Sequence, residues 1–200
     1  MSLTMTRELR EWTLTEAARL LGEPQHRLIY LCEKGVVHPD VQDAKGRGSS
    51  RRFSDRNLLE FAVALRLREL EIGVAFVGAV VRVLRAFERS VRKELRDFKL
   101  PGSLRDPKAP DLRVVIADGA RLYFILGAPG SPGRVYGGID LQDVTPSHPS
   151  ARALDHDLTG RTASAKRSTS RGVGGPEGSR FLRLEVSVTE LARALDLDGG

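Results

Sequence analysis

The chain carries one cysteine, Cys32, in 200 residues. A lone thiol closes no internal disulfide and is too few for a structural zinc site or an iron–sulfur cluster, which take about four ligands. Cys32 therefore reads as a small buried apolar residue. Nowhere do about 18 apolar residues run together, as a membrane-spanning helix requires. The opening MSLTMTRELREW lacks the apolar block of a secretion signal, so a cytoplasmic protein is expected. No G-x-S-x-G turn follows a strand, and neither a P-loop nor a G-x-G-x-x-G fingerprint opens a helix. His26 has no second ligand at metal spacing on its helix face, and His38, His148 and His156 lie in irregular segments. No enzyme, metal or cofactor is expected.

What is present is an ordinary globular balance, 40% apolar and 29% charged, enough for one large domain or two small ones. The net charge is +6 and the sequence pI about 9.9. A basic balance suits a phosphate-bearing partner only where the charge is clustered, because cations displace counterions from a polyanion locally. It is clustered. Residues 42–56 hold five bases (Lys45, Arg47, Arg51, Arg52, Arg56) against two acids, and residues 159–183 hold six against Glu177 alone.

The character of the chain changes near Pro101, where an Arg-rich helical half gives way to strand-like runs with many Gly and Pro. The expected division is 1–98, a linker at 99–110, and 111–200. In the first half, Thr13 and Glu16 have capping-box spacing before a helix over about 15–21. Gly22 ends it, and Pro24 starts a second helix running to Lys34. Two short helices across a tight turn form a helix-turn-helix. Gly35 closes the second helix, and DAKGRGSSRRFSD reads as a hairpin wing ending at Phe53. Ser54 caps a third helix to about Glu71, and a long fourth helix is expected from Val74 to Phe98. Trp12 and Phe53 read as core, while Tyr30 either packs under the wing or offers its hydroxyl to a phosphate.

Residues 13–80 resemble the DNA-binding domain of MerR-type regulators. The carriers are TLTEAARLLG, LIYLCEKGVVHP and SSRRFSDRNLLEFAVALRLRELEIG, with Leu28, Tyr30, Gly35, Val36, Val37 and Pro39 in the family's frame. Ile29 and Leu31 stand where the family has Arg and Tyr. The resemblance implies a winged helix-turn-helix that binds double-stranded DNA. Its DNA-contacting set would be Thr15, Gln25, His26, Arg27 and Tyr30 on the helices and Lys45, Arg47, Arg51 and Arg52 on the wing. Gln25, His26 and Arg27 open the second helix, where side chains reach base edges in a recognition helix.

In the second half, runs at 112–117 and 122–126 flank Asp118-Gly119, a tight-turn dipeptide, and predict a hairpin. Further strands are expected at 134–141 and 181–188, then a short helix capped by Ser187. Residues 159–179 have almost no large apolar side chain and predict a mobile loop. The fold class is thus a mainly α winged helix-turn-helix with a long fourth helix, followed by a small α+β module. That module either dimerises or scaffolds, or binds an unidentified effector.

Val77, Leu84, Val91 and Phe98 recur every seven residues along the fourth helix and form an apolar stripe that must be buried. It either seals a homodimer, the favoured expectation, or packs on the chain's own β module. The expected function is a sequence-specific transcriptional regulator binding a two-fold-related operator as a homodimer. The alternative is an architectural winged-helix factor in recombination or phage DNA packaging.

Overall fold

A computed structural model describes residues 10–43, 50–117, 121–128, 133–140 and 183–195. Helix α1 spans Leu14–Leu20 and α2 spans Gln25–Glu33. Thr13 and Glu16 form the reciprocal box that satisfies the free amides opening α1. Gly22 and Gly35 both sit at φ +66, the left-handed geometry that ends each helix and favours glycine.

Helix α3 runs from Asp55 to Glu69 and α4 from Val74 to Glu94. Ser54 caps α3 as expected, with Asn57 completing the box. Here α4 stops short of Phe98: Leu95 leaves helical geometry at φ −117, ψ 89, and Phe98 is buried nearby with its ring edge-on to Phe87 at 6.2 Å.

The segment expected as a linker is packed structure. It contains the short helix α5, Gly102–Arg105, and buries Leu100, Leu104 and Ala109. These apolar side chains lie in or against the core, and an open connector would leave them in water.

Strands β1 (Asp111–Ala117), β2 (Arg121–Gly127), β3 (Arg134–Asp140) and β4 (Leu184–Ser187) make an antiparallel sheet in the order β3-β2-β1-β4. The expected hairpin joins β1 to β2, pairing Val114 with Phe124; its turn, 118–120, lies outside the described residues. So does the expected basic loop at 159–179. Helix α6, Val188–Ala194, is capped by the Ser187 hydroxyl accepting from the Glu190 amide at 3.1 Å. It packs on β1, α3 and α5.

Strand alternation divides the sheet's apolar side chains between its faces. Leu112, Val114, Ile116, Leu122, Phe124 and Leu126 enter one continuous core with α1 to α4, while Val115, Ala117, Tyr123 and Ile125 cluster separately. Phe87 of α4 stacks on Phe124 of β2, with centroids 4.7 Å apart and planes 14° from parallel.

Within this one chain the α4 stripe packs into the core shared with the sheet. Val77, Leu84, Val91 and Phe98 are all buried within this one chain, at 0%, 2%, 2% and 5% exposure. The α4 stripe is broader than a coiled-coil seam, and these four residues are covered by intramolecular packing, while Leu95 at the end of α4 is 55% exposed.

Candidate nucleic-acid interface

Helix α2 turns Leu28 and Leu31 inward and leaves Gln25, His26, Arg27 and Tyr30 exposed. That division follows from helical spacing, since positions three and four apart share a face. The exposed set begins at the first turn of α2, where the Gln25 side-chain amide donates to the Thr15 hydroxyl at 3.0 Å. Thr15 on α1 and Gln25 on α2 are thereby brought together across the turn. Arg27 extends beside them, paired with Glu23 at 3.0 Å while remaining 54% exposed. Tyr30 does not pack under the wing: it is exposed, with the Lys34 ammonium 5.6 Å from its ring centre.

Three short segments lie side by side at the base of the wing. Arg52 and Gln42 exchange backbone hydrogen bonds of 2.8 and 3.3 Å, and Phe53 and Trp12 exchange bonds of 2.9 and 2.8 Å. Phe53 is fully buried and meets Phe61 edge-on at 5.3 Å, which anchors the wing in the core. Trp12 is half-buried, its indole N–H donating to Asp55 at 2.9 Å. Arg51 and Arg52 remain partly exposed, Arg51 facing Asp43 at 3.4 Å. Lys45 and Arg47, expected near the wing tip, lie outside the described residues.

What holds helix and wing in register is a buried amide that sequence reasoning did not single out. The Asn57 side chain, fully buried, donates to the His38 carbonyl at 2.9 Å and to Glu60 at 3.0 Å. Its oxygen accepts from the amides of Asp40 at 3.0 Å and Ser54 at 3.4 Å. Asp40 in turn accepts the Ser54 hydroxyl at 2.8 Å. One side chain thus ties the exit of α2 to the start of α3, using its full hydrogen-bonding capacity. The spacing of Asn57 from Ser54 was the available clue, because a long-range tie of this kind has no local pattern.

Beside the exposed face of α2 lies a half-open cavity of about 450 Å³, lined by His26, Arg27, Tyr30, Leu31, Leu65, Arg68 and Glu69. Arg68, also not anticipated, donates to the Ile72 carbonyl at 2.6 Å. The thiol of Cys32, on the opposite flank of α2 from Tyr30, is pushed up by burial to about 11. Hydrogen bonds from the Thr13 amide and hydroxyl hold the Glu16 carboxyl below its usual range. Among the described residues, no His, Cys, Asp and Glu group is placed to hold a metal ion, and no helix is long and apolar enough to cross a membrane.

Residues 12–83 match the family model described as MerR HTH family regulatory protein. The match covers α1 to α3, the wing and the first half of α4, and it does not reach the sheet. No curated protein matches the chain. With two helices across a glycine turn, a hairpin base behind them and a family match over the same segment, residues 12–83 form a helix-turn-helix region similar to that of the MerR regulatory family.

Proposed function

We propose that the protein is a cytoplasmic, sequence-specific transcriptional regulator that binds a two-fold-related operator as a homodimer. The observation carrying this is the joint exposure of Gln25, His26, Arg27 and Tyr30 on one helix, with Arg51 and Arg52 on the adjacent wing. Amide and guanidinium groups at the start of α2 suit base edges in a major groove. Guanidinium groups on the wing suit the flanking phosphates, which position a protein without carrying sequence information. Lys45 and Arg47 belong to the same phosphate-contacting set, and Thr15 holds Gln25 in place from α1.

Genome-wide footprinting tests the proposal. The expected result is one motif of two inverted half-sites upstream of genes, with sedimentation of the complex giving two chains per site. Protection without any shared motif would overturn sequence-specific regulation, and a single half-site bound by one chain would overturn the homodimer.

A further inference from the structure

Helix α4 is buried over most of its circumference, on the sides formed by Val77, Val80, Val83, Leu84, Phe87 and Val91. Between residues 82 and 93, the narrow strip that reaches solvent is entirely basic: Arg82, Arg85, Arg89, Arg92 and Lys93. The four arginines recur at spacings of three, four and three, which keeps them on one face. Solvation alone does not call for this composition. A solvated helix edge is stabilised by alternating signs, whereas like charges three and four residues apart repel one another. The helix dipole favours cations in the last turn, which covers Arg92 and Lys93, and the buried Glu60 accounts for Arg85, but neither accounts for Arg82 or Arg89. The acid within this stretch, Glu88, is turned inward, where it pairs with Arg56 at 3.0 Å and accepts the Leu100 amide at 3.3 Å. Arg89 and Arg92 are exposed and form no ion pair with a described residue.

The strip starts where α2 ends. Gly78 lies against Val36, and Arg85 donates to the His38 carbonyl at 3.2 Å, so the upper part of α4 touches the segment leaving α2. From Arg82 to Arg92 the helix rises about 15 Å. One DNA strand carries a phosphate about every 3.4 Å along the duplex axis; Arg85 is committed to Glu60, so the exposed pair Arg89 and Arg92, about 4.5 Å of helix rise apart, supplies cations at close to that spacing. Arginine outnumbers lysine on the strip, and its planar fork matches phosphate oxygens bidentately. Between residues 82 and 93 no large apolar residue is exposed, so the strip has no apolar centre of the kind a protein contact needs; the exposed Leu95 lies at its end.

We propose that this arginine strip is a second DNA-binding surface, which follows backbone phosphates beside the site occupied by α2. The inference rests on the DNA-binding reading above and adds a sequence-independent contact from outside the helix-turn-helix and wing.

The test compares the full-length chain with an Arg89→Gln, Arg92→Gln double variant, using a mixed-sequence DNA duplex of about 30 base pairs and fluorescence anisotropy over a range of salt concentrations. Both substituted side chains are exposed, and thermal melting verifies the fold. If each arginine neutralises one phosphate, the slope of log affinity against log salt should shrink by about 0.9 per residue, roughly 1.8 in all. An Arg89→Lys, Arg92→Lys variant should keep most of the slope. A native chain that binds DNA with a slope the Gln variant leaves unchanged overturns this inference alone. A native chain that binds no DNA overturns the DNA-binding reading itself. Binding to polyglutamate that the Gln variant abolishes, with DNA affinity intact, would reassign the strip to an acidic protein.

Discussion

Arg85 on α4 and Glu60 on α3 meet through two hydrogen bonds, Nε to Oε1 and Nη2 to Oε2, each 2.5 Å long. Glu60 is 1% exposed, and Asn57 supplies its third donor. One turn away Arg56 and Glu88 pair with the opposite polarity, so α3 and α4 are crossed by two ion pairs facing in opposite senses. Such an arrangement penalises any sliding of α4 along α3, because a shifted register would bring like charges together. Through Asn57 and the His38 carbonyl it also reaches the exit of α2.

Removing Arg85 should therefore cost far more than a surface ion pair. Arg85→Met leaves a buried carboxylate without its cation, and the expected loss at neutral pH is about 3–5 kcal/mol. Burial already raises the Glu60 carboxyl above its usual range, with Arg85 opposing that rise. A group with a raised folded pKa contributes its stability below the unfolded pKa and loses it as pH rises through the folded value. The deficit of the variant should accordingly be smallest near pH 4 and grow toward about pH 7. Urea unfolding at both pH values checks this, and an equal deficit at the two would show that Glu60 does not carry the effect.

The broad burial of α4 changes what substitution of its stripe should do. Leu84 and Val91 line the intramolecular core, and Phe87 between them stacks on Phe124 of the sheet. Leu84→Glu combined with Val91→Glu should abolish folding, since each places an unpaired charge in the interior. Phe87→Ala should cost about 3–5 kcal/mol through reduced burial and the cavity left behind. Circular dichroism and sedimentation decide the matter: a double variant that remains folded while dissociating from dimer to monomer would restore the stripe as an intersubunit seam.

Local chemistry made the elements of the first half legible. Thr13, Ser54 and Ser187 each begin a helix where capping spacing put one, and Gly22 and Gly35 end helices at positive φ. The alternation in the second half likewise gave the strands to within a few residues, with the last cut short because α6 begins at Val188. The destination of the α4 stripe was not legible, because periodicity states that a face is buried and not by what. The same limit hid Asn57 and Glu60. Both sit inside an apolar-looking helix, and their partners at His38 and Arg85 are 19 and 25 residues away. Of the candidate interface, the exposed face of α2 followed from helical spacing, while the Gln25–Thr15 and Arg27–Glu23 contacts depend on geometry at the turn.

Cys32 should be a slow thiol. Burial raises it from 9.0 to about 11, so below pH 9 its thiolate fraction is roughly 100-fold smaller than that of an unshifted cysteine. Alkylation by iodoacetamide at pH 8 should lag a free-cysteine peptide by a similar factor, with the rate still climbing above pH 10. A rate matching the peptide would mean that the α2 flank opens readily to solvent.

The helix and wing arginines should separate under substitution, because they stand in different surroundings. Arg27 lies in the first turns of α2 and is held by Glu23 at 3.0 Å, yet keeps 54% of its side chain exposed, so the pair can orient the guanidinium toward a groove and exchange Glu23 for a base. Arg27→Ala should relax preference at one or two base pairs, at a cost of about 1–3 kcal/mol for a bidentate pairing. Arg51 and Arg52 lie on a wing held by backbone pairing to Gln42, and phosphates there carry no sequence. Arg51→Ala with Arg52→Ala should weaken binding to every sequence alike and reduce the salt slope by about 0.9 for each phosphate that is no longer neutralised. Randomised-site selection and a salt titration on both variants check the division. An unaltered motif for the Arg27 variant removes that residue from base readout. An unaltered salt slope for the wing variant means that the pair does not neutralise phosphates.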